Sequence, residues 1–137
     1  MRATQQQVTD FMAAEFPQSR CVVESVSDGR ATVSRQIGRE DLRPGGTIAG
    51  PVLMGVADIA LYVAILGEIG IVPLAVTTNL NINFLRKPKA AAPIRAYCTL
   101  IKCGRSLIVG EVSLFSEGAT EPVAHAVGTY SIPPARS

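Results

Sequence analysis

The sequence predicts an α+β domain: one long helix wrapped by a curved antiparallel sheet of about five to six strands, preceded by a short helix. Three observations predict it. From Ile48 to Leu66 the one charged residue is Asp58, so this stretch reads as a helix that is apolar nearly all round and needs cover on most sides. Four strand-like runs follow, at 75–85, 93–103, 107–116 and 121–132; their short connections imply antiparallel neighbours. The chain has 137 residues, 47% hydrophobic and 18% charged, which suits one packed domain over 1–137 rather than a disordered segment.

Each element has a local cause. Thr4-Gln-Gln-Gln7 fits a capping box, and Val8, Phe11, Met12 and Phe16 recur at helical spacing, so a short amphipathic helix runs to Phe16 and ends before Pro17. Residues 20–27 are rich in β-branched side chains, Asp28-Gly29 is a hairpin turn signal, and 30–37 form the return strand. Residues 38–47 read as a polar loop holding Pro44, Gly45 and Gly46. Pro51 suits the first turn of the long helix, which runs to about Ile69, near Gly70 and Pro73. The last four strands are joined by 86–92, by a tight Gly104-Arg105 turn, and by 117–120.

Composition excludes several classes. Thirteen Lys+Arg against 11 Asp+Glu give a net charge of +2, a near-balance that argues against a general nucleic-acid binder. Cys21, Cys98 and Cys103 cannot all pair within one chain and show no CxxC spacing, so reduced thiols in a cytoplasmic protein are expected. Residues 1–9 are polar and lead into no apolar stretch, so no secretory signal is expected. A single histidine, His125, excludes a site with two His ligands; no metal and no separate cofactor is expected. The apolar stretch carries Asp58 at its middle, where membrane insertion costs about 2.5–3.5 kcal/mol, together with Gly50, Pro51 and Gly55. A buried helix is therefore expected rather than a membrane span.

Four features carry chemistry. Asp58 has Met54, Leu61, Tyr62 and Ile65 as helical neighbours. A carboxylate there needs a partner: it is either a functional group or a satisfied polar group bonded to a backbone N–H or an arginine. The run from Pro44 to Pro51 delivers the chain to a helix N-terminus, whose free N–H groups attract a developing oxyanion, unless it is only a glycine-rich connection. Gly50 and Asp58 are separated by about 12 Å along one helix, so both reach one carbonyl only if they come from two subunits with antiparallel helices. In the strand over 75–85, Thr77, Asn79, Asn81 and Asn83 alternate with Val76, Thr78, Leu80, Ile82 and Phe84, which predicts one amide and hydroxyl face lining a site or an interface, with Asn81 and Asn83 solvated. Arg86, Lys87, Lys89, Lys102 and Arg105 lie at turns and suit the phosphates of a nucleotide-containing carrier, or are simply solvated. His125 reads as a core or surface residue, and Cys98 and Cys103 as strand hydrophobes.

The assembled pattern resembles the hotdog-fold thioesterases, in their phenylacetyl-CoA thioesterase-like (PaaI-like) branch. The resemblance covers about 20–133. It is carried by Gly50-Pro-Val-Leu-Met-Gly-Val-Ala-Asp58-Ile-Ala, by the run from Ala75 to Pro88, by Gly104-Arg105-Ser106, and by Val123-Ala-His-Ala-Val-Gly-Thr-Tyr130. The resemblance implies a hotdog fold, obligate homodimers and often homotetramers, and an acyl-CoA thioester site at the dimer interface. Asp58 falls on the family's general base or nucleophile, Gly50 of the opposite subunit on its oxyanion donor, and Thr77 near its water-orienting hydroxyl. Arg86, Lys87 and Pro88, and Gly104, Arg105 and Ser106, fall on its coenzyme A-contacting turns. Met54 and Tyr62 are expected to meet the acyl group, and Arg43 and Asn79 to bind the substrate.

Two departures stand out. The family's His-Gly-Gly reads Ala49-Gly50-Pro51, and the upstream Asn or Gln falls near Arg43, which either binds substrate or pairs with Asp58. The expected function is acyl-CoA hydrolysis in the cytoplasm. The alternatives are a protein that holds an acyl-CoA without cleaving it, a dehydratase, for which His125 is badly placed, and a structural module.

Overall fold

A computed structural model of the protein describes residues 1–89 and 91–134. Its first helix starts by a reciprocal cap: the Gln7 amide donates to Thr4 Oγ1 at 3.1 Å and the Thr4 amide donates to Gln7 Oε1 at 2.8 Å. This opens α1 (Gln5–Glu15), which buries Val8 and Met12. Phe16 caps the helix instead of extending it, and Pro17–Ser19 make a 3₁₀ turn. β1 (Cys21–Ser27) and β2 (Arg30–Arg35) form the expected hairpin, with Gly29 at φ +66° in its turn.

β2 ends at Arg35, short of the expected Ile37. Its guanidinium forks onto Asp41, with Nη1 donating to Oδ2 at 2.8 Å and Nη2 to Oδ1 at 3.0 Å, and the Gly38 amide also donates to Oδ2 at 2.8 Å. Asp41 is 5% exposed. The pair stiffens the loop around a 3₁₀ turn, Arg39–Asp41. The Asp41 carbonyl then accepts the Ala49 amide at 2.9 Å, delivering the chain to α2 (Gly50–Ile69). Pro51 lies in the first turn of α2, and Gly70, at φ +99°, ends it. α2 is long and apolar enough to cross a membrane, yet most of it is buried within the fold.

β3 (Val76–Phe84), β4 (Ile94–Cys103), β5 (Leu107–Ser116) and β6 (Ala124–Ser131) complete a six-stranded antiparallel sheet in the order β1-β2-β4-β5-β6-β3. This corrects one expectation. β3 and β4 are consecutive but not neighbours: β4 pairs with β2, and β3 pairs with β6 at the far edge. The sheet curves over α2, whose residues 60–67 are all buried. Gly110 and Gly128 are direct cross-strand partners. A Cβ on Gly110 would stand 2.8 Å from Leu61 Cδ2, and one on Gly128 would collide with Leu61 Cδ1. The missing side chains are what let the sheet approach the helix there.

Candidate active site

Asp58 sits on α2 where the ends of β3 and β6 pass over it. Thr77 Oγ1 donates to Asp58 Oδ1 at 2.6 Å, and Tyr130 Oη donates to the same oxygen at 2.7 Å. Tyr130 Oη also lies 3.1 Å from the Asp58 carbonyl oxygen. No donor among the described residues addresses Oδ2. The carboxylate is thus clamped through one oxygen and open through the other. Within the chain its side-chain partners are hydroxyls, and Arg43 is exposed in the loop before α2.

The clamp depends on a bulge. Thr77 pairs with Tyr130, but the next pair is Asn79 with Thr129, so Thr78 is the extra residue. Thr77 faces α2 with Tyr130; beyond the bulge, Leu80 and Ile82 take the inner face opposite Gly128 and Ala126. The alternating amide and hydroxyl face expected from the sequence is therefore broken. Asn79, Asn81 and Asn83 share the outer face with Thr129, Val127 and His125, and all three are exposed. Asn79, expected to bind the substrate, is thus on the opposite side of the sheet from Asp58 within the chain.

Tyr130 was not among the residues singled out from the sequence. The signal was there: Ala124, Ala126 and Gly128 are small at every second position, and Tyr130 continues that buried row. Burial pushes the Tyr130 phenol well above its ordinary pKa, and the charge of Asp58 acts the same way, so the hydroxyl remains a donor. Its ring stacks on Tyr62 with centroids 6.0 Å apart. Tyr62, one helical turn beyond Asp58, is fixed in turn by donating to the Pro73 carbonyl at 3.0 Å.

Two clefts of about 350 Å³ each open on Asp58. One is lined by Arg35, Pro51, Val52 and Gly55, the other by Tyr62, Ala75, Thr77 and Tyr130, and Phe16 and Ile59 line both. Met54, expected at the acyl end, lines neither; it is 37% exposed on α2.

Gly50 starts α2 with Phe84 close by: a Cβ on Gly50 would lie 3.2 Å from Phe84 Cζ. At this helix start the Ala49 amide is held by Asp41 O, Pro51 has none, and the Val52 amide returns to Ala49 O. The Gly50 N–H is the one without an acceptor among the described residues.

The remaining candidates fall at two ends of the sheet. Arg86, Lys87 and Pro88 follow β3 near Phe84, where Arg86 Nη1 donates to Pro122 O and Nε lies 3.4 Å from Glu121 Oε2. Gly104, Arg105 and Ser106 turn β4 into β5 at the end where β3 begins, with the Ile132 amide donating to Ser106 O at 2.8 Å. β3 separates the two groups by roughly 26 Å. Within one chain, Asp58, Thr77, Tyr130 and the 104–106 turn lie toward one end of the sheet, and Gly50, Phe84 and the 86–88 segment toward the other. Among the described residues no cluster suits a metal ion.

The sequence profile of the thioesterase superfamily matches residues 45–123. No curated protein matches the sequence. Among solved structures, a candidate thioesterase from a Silicibacter species is 37% identical, with a TM-score of 0.88, over 96% of this chain and 92% of the other. A point mutant of the phenylacetic acid degradation protein PaaI from Thermus thermophilus is 25% identical, with a TM-score of 0.73, over 90% of this chain and 99% of the other. A hypothetical thioesterase from Streptococcus pneumoniae, crystallised with coenzyme A, is 20% identical, with a TM-score of 0.77, over 94% and 99% of the two chains. The fold is the hotdog fold of these PaaI-like relatives.

Proposed function

This chain belongs to the thioesterase superfamily, and from that premise we propose that it hydrolyses an acyl-CoA thioester in a site completed by a second copy of itself. The observation that carries the reading is the Asp58 carboxylate, clamped through Oδ1 and open at Oδ2 on an apolar helix. The coenzyme A bound by the Streptococcus pneumoniae neighbour supports the thioester class.

The separation of these two groups along one chain supports such an assembly. A two-fold axis that sets the α2 helices antiparallel brings the Gly50 end of one protomer to the Asp58 end of its partner. It brings the 86–88 segment and the 104–106 turn of different protomers to the same substrate, supplying Arg86, Lys87 and Arg105 for the coenzyme A phosphates.

In the reaction, Asp58 Oδ2 takes a proton from water while the water oxygen bonds to the thioester carbonyl carbon. The carbonyl oxygen becomes an oxyanion facing the Gly50 N–H of the other protomer. Collapse breaks the C–S bond, and the departing thiolate recovers the proton from Asp58. The products are a free carboxylic acid and coenzyme A. If Asp58 attacks the carbonyl directly, the same oxygen serves and water cleaves the resulting anhydride.

The test is thiol release from a panel of short, medium, aromatic and dicarboxylic acyl-CoAs, with Asp58→Asn beside the wild type. Loss of about 10²–10⁴-fold in kcat is expected. Release unchanged in the variant would move the chemistry to other residues. Absence of release from every ester, with measurable binding, would make the protein an acyl-CoA carrier.

A further inference from the structure

We propose that Tyr130 is a positioning residue for hydrolysis, acting through Asp58 by holding its carboxylate in the one orientation that presents Oδ2 to the cleft. The inference rests on the reading of Asp58 as base or nucleophile and extends it to a residue that acts through Asp58.

Three observations meet on this side chain. First, its hydroxyl reaches two atoms of the same residue, Asp58 Oδ1 at 2.7 Å and the Asp58 carbonyl oxygen at 3.1 Å. Contact with both backbone and side chain fixes the carboxylate relative to its own helix, which a single bond to the tip of a flexible side chain does not do. Second, its own freedom is small. The residue is 3% exposed, its ring stacks on Tyr62, and the Tyr62 hydroxyl is tied to Pro73 O. Third, Thr77 is its direct cross-strand partner and donates to the same oxygen at 2.6 Å. Two donors on Oδ1 occupy its acceptor capacity in the cleft, so the free lone pairs for a water proton are those of Oδ2.

Thr77 alone does not define that geometry. It hangs from an edge strand beside a bulge, whereas Tyr130 stands on β6, between β5 and β3. Removing the phenol oxygen leaves the carboxylate free to rotate about Thr77, and a misplaced reacting group lowers turnover without weakening substrate binding.

The experiment compares Tyr130→Phe with the wild type, and Asp58→Asn/Tyr130→Phe with Asp58→Asn, on the best acyl-CoA of the panel. Phe keeps the ring and its stacking. Tyr130→Phe is expected to lower kcat by roughly 10- to 100-fold with KM within about twofold, and to have no further effect once Asp58 is Asn. An equal loss in both backgrounds, or an unchanged kcat, overturns the proposal. A crystal structure of Tyr130→Phe supplies a readout independent of activity: a carboxylate turned from its wild-type orientation supports positioning, and an unmoved one refutes it. The two readings fail differently. Full activity in Asp58→Asn removes the base itself, whereas an active wild type with a silent Tyr130→Phe removes the role of Tyr130 alone.

Discussion

Gly110 and Gly128 face each other across β5 and β6, and Leu61 fills the space that their missing side chains leave. Leu61 is fully buried, so its methyl groups can move aside only within the packed core. Gly128→Ala, which also brings its methyl to 3.2 Å from Leu80 Cδ1, is expected to destabilise the fold by about 1–3 kcal/mol through overpacking. Gly110→Ala acts in the same direction. A denaturant midpoint equal to that of the wild type would show that the helix and sheet separate at little cost.

Asp41 is expected to contribute to acid stability. The Arg35 hydrogen bonds hold its carboxyl below the usual value of 3.8, with the Gly38 amide adding to the effect. A carboxyl whose folded pKa is depressed contributes stability that is present above its unfolded pKa and is lost as pH falls through its folded pKa. Unfolding free energy is therefore expected to drop as pH falls through 3.8 and on through the lower folded value. In Asp41→Asn that fall should flatten, with a loss of about 3 kcal/mol at neutral pH because Arg35 is left half-buried and unpaired. A wild-type acid limb retained in the variant would assign it to other carboxyls.

Met54 marks the proposed two-fold axis. If Gly50 of one helix stands opposite Asp58 of its antiparallel partner, the residue midway between them stands opposite itself. Met54→Cys is expected to give a disulfide-linked dimer under mild oxidation, dispersed by reductant on a denaturing gel. Monomer alone, from protein that runs as a dimer before oxidation, would rule out this register.

The native thiols should differ sharply in reactivity. Burial pushes Cys98 up to about 12 and Cys21 up to about 11, while Cys103 is exposed and less strongly raised, again by burial first. The thiolate is the reacting form, so a disulfide reagent at neutral pH is expected to modify Cys103 first and Cys98 only on unfolding. Cys98 reacting as fast as Cys103 would show that the sheet opens readily.

Much of this was legible in the sequence because it is written locally. The Thr4–Gln7 cap, the Asp28-Gly29 turn and the apolar helix each follow from neighbours in the chain. Asp58 declared itself as the one charge between Ile48 and Leu66. The bulge at Thr78 was not legible: Thr77, Asn79, Asn81 and Asn83 alternate cleanly, and the added residue is revealed by the strand opposite, which pairs Thr77 with Tyr130 but Asn79 with Thr129. Tyr130 escaped for the same reason. Its role arises from a hydrogen bond to a residue 72 positions away, which no periodicity records. The place of β3 at the sheet edge was hidden too, since its connection to β4 is short although the strands lie far apart in the sheet.

That strand order has a kinetic consequence. β3 is third along the chain, yet its sole partner in the sheet is the last strand, β6. It must wait, docked on nothing but α2, until the rest of the sheet is in place, because long-range pairings close late. The corner holding Asp58 and Thr77 is then expected to be the final part of the molecule to assemble and the first to open. Thr77→Val should accordingly speed unfolding and leave the folding rate unchanged in a stopped-flow chevron; slowed folding would place β3 in the nucleus instead.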